Sequence, residues 1–216
     1  MKKTTPVIVA ALLAQFALAA YFYPAMPDAI VSHWGFSGEP NGYAPKLVGL
    51  LVLPAVTTVM LLMFAAIPVI DPLSANIRKF RKQYDTFVAI LVLFMLALQA
   101  DIVLWNVGVF VSPNFIFPVA LGAMFYYLGV IFGSVKRNWF IGIRTPWTLS
   151  SERVWDETHR VAAKLFKAAG LVAMAGALVP QYALYFVLVP VLAIVAFSFV
   201  YSYVRYARQE KRRRAS

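Results

Sequence analysis

The chain contains no cysteine. That excludes disulfide staples, thiolate metal sites and cysteine nucleophiles. Charge is scarce too: 13% of the 216 residues are charged, where a soluble domain carries about 25%. Acidic residues are the rarest charged type, nine against 20 Lys and Arg, which leaves a net charge of +11. There are two histidines, His33 and His159. No HExxH, GxSxG or paired-carboxylate pattern occurs, so the familiar hydrolytic chemistries lack their residues. His33 and Glu39 supply two potential metal ligands, too few to define a site. No metal or cofactor is implied.

Apolar residues are abundant instead, at 62% of the chain, and they come in blocks. A helix rises about 1.5 Å per residue, so roughly 20 apolar residues cross a hydrocarbon core of about 30 Å. Six segments qualify, at about residues 6–25, 47–70, 87–111, 115–135, 165–180 and 182–204. Backbone polar groups cannot stay bare in lipid, so each span is expected to be helical. The fold class is therefore all-α: a polytopic membrane bundle of six transmembrane helices plus a cytoplasmic interfacial helix.

Basic residues orient the bundle. If the spans alternate, 19 of the 20 Lys and Arg fall on one side. They are Lys2 and Lys3, four in the 71–86 loop, seven in the 136–167 segment and six in the tail from Arg205. Lys46 lies on the other side. The positive-inside rule puts both termini and the 136–167 segment in the cytoplasm, and the 26–46 loop outside. An alternative reads the first 19 residues as a signal peptide cleaved after Ala17-Leu18-Ala19, leaving five spans. The apolar run continues through "YFYPAM", longer than a signal peptide needs. The chain divides into a two-span unit (1–70), spans 3 and 4 (71–135), a unit with the cytoplasmic segment and spans 5 and 6 (136–204), and a basic tail (205–216). That tail suits anionic lipid headgroups. No folded reader surrounds it, so direct nucleic-acid binding is not expected.

Gly129-x-x-x-Gly133 and the row Ala169, Ala173 and Ala177 are small-residue stripes of the kind that let helices approach closely. Packing within the chain is the first reading and homodimerisation the second. Pro54 and Pro190 fall inside spans 2 and 6, where proline kinks a helix. Span 3 is the polar one, with Gln99, Asp101 and Asn106. Gln99 and Asn106 share a face, and Asp101 lies nearly opposite. Polar groups on two faces place span 3 centrally. Asp101 lies about 21 Å along the span, in its outer third. An acid there needs a partner or water. It is either a proton or ligand site, or it bonds an outer-loop group such as Lys46 or His33, or it stays protonated.

The outer loop, "PDAIVSHWGFSGEPNGYAPK", is expected to be compact and turn-rich around Gly38, Pro40, Asn41 and Gly42. His33, Trp34, Glu39, Tyr43 and Lys46 supply its recognition chemistry. In the cytoplasmic segment, "NWFIGIRTPW" is an ordered, aromatic-rich connection. A helix capped by Ser150 or Ser151, with Glu152 in its first turn, follows. It carries a stripe of Val154, Thr158, Val161 and Leu165 and a charged one of Asp156, Arg160 and Lys164.

Asn138, Gly142-Ile143-Arg144-Thr145-Pro146-Trp147-Thr148, Trp155, Thr158-His159 and Gly170 together resemble the motif of the SdpI family of prokaryotic membrane proteins. Pro27, Ile30, His33-Trp34, Gly38-Glu39-Pro40, Gly42-Tyr43 and Lys46 resemble the domain of unknown function that often precedes it. The two regions and their flanking spans cover most of the chain. The resemblance implies an immunity protein that protects its host from a secreted toxic peptide, and a receptor that holds a cytoplasmic transcriptional repressor at the membrane. Two other classes compete with it. One is a proton-coupled or small-molecule transporter using Asp101. The other is an enzyme with an unfamiliar outer-face site built from the turn near His33 and Asp101. The two histidines are expected on opposite sides, so they cannot share such a site.

Overall fold

The computed structural model describes residues 4–215. Lys2 and Lys3, the first of the basic residues that orient the bundle, lie outside them. The order of elements is α1 (Thr5–Phe22), β1 (Ala29–Trp34), β2 (Pro40–Pro45), α2 (Lys46–Ile70), α3 (Ser74–Lys79), α4 (Arg81–Asn106), α5 (Pro113–Phe132), α6 (Pro146–Ser150), α7 (Glu152–Ala175) and α8 (Ala183–Ala215). Among the described residues, six helical segments are long and apolar enough to cross a membrane. The architecture is an all-α polytopic bundle with one small β-hairpin at its end. Many large apolar side chains on α1, α2 and α8 are exposed, among them Leu13, Leu62, Leu192 and Val200. In water such a surface would aggregate, whereas in a bilayer it faces lipid.

The helices form two groups. In one, α4 packs on α1 and α2; in the other, α7 packs on α5 and α8. Contacts between α4 and α5 join them. Span 3, now α4, is central, as its two polar faces predict. One face reaches α2, where the Gln99 Nε2 donates to the Leu50 carbonyl at 3.1 Å. The α1–α2 contact has its own polar pair, Thr57 Oγ1 to Gln15 Oε1 at 3.0 Å, with both residues buried.

The closest approach is between α5 and α7. A Cβ added to Gly170 would stand 2.5 Å from the Gly122 carbonyl oxygen and from the Tyr126 nitrogen. One added to Gly129 would stand 2.6 Å from the Ala163 oxygen. The small residues therefore serve packing within the chain, the first of the two readings. Gly133 is different: it would meet only its own helix. Ala169 and Ala173 are buried on the same face of α7.

Two expectations change. The amphipathic stretch and span 5 are one unbroken helix, α7, capped by Ser151 Oγ, which accepts from the Val154 N–H. Its buried face is Trp155, His159, Ala162, Phe166 and Ala173, with Val154 and Thr158 beside them. Val161 and Leu165 are only half-buried. The basic tail is likewise no separate segment, since α8 runs on helically to Ala215.

The turn-rich loop is an antiparallel hairpin. Its reversal is Gly35–Glu39, with the Gly35 N–H donating to the Glu39 carbonyl at 2.9 Å. Pro40, Asn41 and Gly42 belong to β2, not to the turn. Proline is tolerated there because it opens an edge strand. Gly42 pairs with His33 and leaves space for its Cβ, which an added Cβ would meet at 2.8 Å.

Candidate functional site

Asn106 fixes the hairpin on the bundle. Its Oδ1 accepts from the Val31 N–H at 2.8 Å, and its Nδ2 donates to the Val31 carbonyl at 2.9 Å. The hairpin tip is tied to α5 by Asn114, whose Nδ2 donates to the Phe36 carbonyl at 3.1 Å. Gly38, at φ +82°, sits against the same asparagine. Few side chains adopt that φ, so this glycine is required by the turn.

The strand register slips on either side of His33. Successive strand residues normally point to opposite faces, and a bulge breaks that alternation. Ser32, His33 and Trp34 consequently all border one cavity of about 300 Å³, together with Leu53, Leu98, Asp101, Ile102 and Phe117. A second cavity, of about 210 Å³, shares Trp34 and Phe117 with it and extends between α5 and the start of α8.

Asp101 is 2% exposed, and among the described residues neither carboxylate oxygen has a hydrogen-bond partner. The expected partners are engaged elsewhere. Lys46 Nζ lies 3.0 Å from Asp28 Oδ1. His33 Nδ1 lies 2.6 Å from Asn41 Oδ1. The reason is local: Lys46 follows β2 directly and is level with Asp28, whose carbonyl accepts its N–H. Trp34 stands edge-on to Trp105, and its buried Nε1 has no acceptor among the described residues. Glu39 and Tyr43 are exposed on the hairpin and do not border this cavity.

The other expected site, at the opposite end, is built quite differently. Asn138 is fully buried and organises its loop. Its Nδ2 donates to the Lys136 and Ile141 carbonyls, and its Oδ1 accepts from the Phe140 and Ile141 N–H groups. His159 Nε2 accepts from the Ile143 N–H at 2.9 Å. A backbone N–H can only donate, so that nitrogen carries no proton. Nδ1 then holds the proton and donates to the Trp155 carbonyl at 2.8 Å. The histidine is neutral and fully used. It stacks on Trp155, whose Nε1 donates to the Val135 carbonyl. Gly142, at φ +119°, passes close to this pair; an added Cβ would be 2.5 Å from His159 Nε2.

Thr145 and Thr148 form a capping box on α6, and Thr145 Oγ1 also donates to Ser202 Oγ on α8 at 3.0 Å. Trp147 packs edge-on against Phe199 and is tilted on Tyr203 of the same helix. Pro146 occupies the first turn of α6. Arg144 is exposed, as is Pro146, and the Arg144 guanidinium donates to the Trp139 carbonyl at 2.6 Å. Of the twenty residues singled out in the sequence, the structure thus gathers the inner motif into one knot. At the other end it gathers His33, Trp34 and Asp101.

Three participants escaped the sequence reading. Asp71 accepts from the Leu73 N–H and from the Trp139 N–H, which ties the turn after α2 to the motif loop. Asn76 donates to the Arg137 carbonyl. Gln15 is a lone amide in an apolar span. Asp71 precedes a proline, a turn signal, and a lone amide in a span signals an interhelical bond.

Six apolar helices with internally paired backbones define a multi-pass membrane protein. Residues 134–202 match the SdpI/YfhL protein family, and residues 10–58 match a domain of unknown function, DUF1648. The chain is thus similar to the SdpI/YfhL family over that stretch. It is 24% identical over 209 residues to the immunity protein SdpI of Bacillus subtilis (strain 168), a likeness that spans 96% of this chain and 98% of that protein. No solved structure matches.

Proposed function

We propose that this protein is an immunity factor that protects its host membrane against a secreted toxic peptide, met at the hairpin end. The observation that carries the reading is the near-complete alignment with an immunity protein. The cavity at the hairpin end supplies a place for contact, with Asp101 unpartnered inside it. In this reading the hairpin end faces outward and both termini face the cytoplasm, an orientation that the distribution of basic residues supports. The motif end then offers a cytoplasmic partner, such as a transcriptional repressor, an ordered surface with Trp139 51% exposed beside Arg144.

The test is survival of a sensitive bacterium expressing the chain and challenged with such a peptide. Wild type is compared with His33→Ala, Asp101→Asn and Arg144→Ala at matched membrane levels. Protection is expected to fall in the first two and persist in the third. No protection by wild type would sink the reading. Orientation is separately testable because the chain is free of cysteine. Ser37→Cys should react with a membrane-impermeant maleimide on intact cells, and Ser150→Cys only after permeabilisation. The reverse pattern would invert the topology.

Proton-coupled transport is the second reading, favoured by the same unpartnered acid in a span. Uptake driven by a proton gradient and lost in Asp101→Asn would put it first.

A further inference from the structure

The two cavities at the hairpin end differ in kind. One is bordered by Asp101. The other is walled by Pro113, Pro118, Leu184 and Val187. Trp34 and Phe117 form the partition, because both residues line both spaces. The lining of the acidic cavity contains no lysine or arginine. Its other titratable group, His33, has its Nδ1 on Asn41. Asp101 is therefore a buried acid with no cation of its own, in largely apolar walls. Burying an unpaired carboxylate is costly, and a cation from outside offsets that cost.

We propose that the acidic cavity binds the ammonium or guanidinium group of a basic side chain on a peptide, while a neighbouring apolar side chain of the same peptide enters the second cavity. This rests on the hairpin end being the face that meets a toxic peptide. Asp101 supplies the counter-charge. The indole face of Trp34 supplies a cation–π surface. A metal ion fits poorly, since hard cations take six or more oxygen ligands and the side chains of this lining offer one acid, one serine and a histidine whose Nδ1 is on Asn41. A small inorganic cation would also leave the apolar cavity unused. Volumes of about 300 and 210 Å³ suit individual side chains rather than a folded surface.

The experiment is calorimetric titration of the full chain in lipid nanodiscs with two synthetic peptides. One is acetyl-Gly-Lys-Leu-Gly-amide; the other is identical but acetylated on the lysine Nε. The free amine should bind at least about tenfold more tightly, as a charge-assisted contact requires. Asp101→Glu should keep that ratio, and Asp101→Asn should bring it to about one. Exchanging leucine for glycine in the peptide should weaken binding to wild type. Equal affinities, no binding of either peptide, or a ratio that survives Asp101→Asn would overturn the cation site. Indifference to the leucine would overturn the two-cavity arrangement. The immunity reading fails separately. A chain that discriminates the peptides but confers no survival keeps this site and loses that reading. Undiminished survival in Asp101→Asn, with no discrimination, does the opposite.

Discussion

At the motif end, Asn138 makes four hydrogen bonds to its own loop; at the hairpin end, Asp101 makes none. Both side chains are buried; Asp101 stood out in the sequence as an acid in an apolar span, and Asn138 as part of the motif that carries the resemblance. The first is spent on holding a loop together. The second has no hydrogen-bond partner among the described residues. A buried polar group with all its partners present explains a fold, whereas one without partners calls for something outside the molecule. His159 and Trp34 repeat the contrast. The histidine uses both ring nitrogens, while the buried indole N–H of Trp34 has no acceptor.

This contrast can be broken, and the largest effect is expected between the two ends. Gly170→Val would drive a branched side chain into the Gly122 carbonyl and the Tyr126 backbone. Backbone cannot yield as a flexible side chain can, so no folded protein should be recovered on size-exclusion chromatography in detergent. A normal elution profile would show that α5 and α7 can separate. Next comes Asn138→Ala, which strands two N–H groups and two carbonyls. At about 1–3 kcal/mol for each buried unsatisfied group, the loss should be at least about 3 kcal/mol. A thermal melt of purified protein would register it, and an unchanged melt would mean that water replaces the amide.

Asp101→Asn should behave in the opposite way. It removes an unpaired charge without removing a contact, so stability should stay level or rise by about 1 kcal/mol. A clear drop in the same melt would reveal a structural partner for Asp101 and erase the difference between the ends. The smallest effect belongs to Arg144→Ala, an exposed guanidinium on one carbonyl. Stability should move by no more than about 0.5 kcal/mol. Binding of a cytoplasmic partner, measured by pull-down from membranes, should fall. Unaltered capture would remove Arg144 from that surface.

Much of the fold was legible because a bilayer enforces long apolar helices. The six spans, the central place of span 3 and the Ser151 cap all follow from local pattern. The hairpin was not legible, for a reason visible in its residues. Pro40, Asn41 and Gly42 are strong turn formers, yet a strand edge accepts proline and the His33 pairing needs the glycine. The cavity was hidden as well. Its lining depends on a register slip, which depends on three-dimensional pairing. Asp101 and His33 were both picked out; a bond between them was one alternative and a shared outer-face site another, and the structure makes them neighbours around a space. At the motif end the residues were found, while their mutual bonding was not. His159 lies outside both stripes read from the sequence, and nothing local says that a backbone N–H from Ile143 will meet its ring.

The glycine contact between α5 and α7 also has a mechanical side. Backbones this close cannot slide or roll past each other, so the pair forms a stiff lever. At one end Asn114 of α5 grips the hairpin tip. At the other, His159 of α7 grips the motif loop. A helix of 24 residues is about 36 Å long. A tilt of about 5° at one end of such a rod moves the other by about 3 Å, the length of a hydrogen bond. A small push on the hairpin tip would therefore reach the far side of the membrane at a scale that makes or breaks a contact.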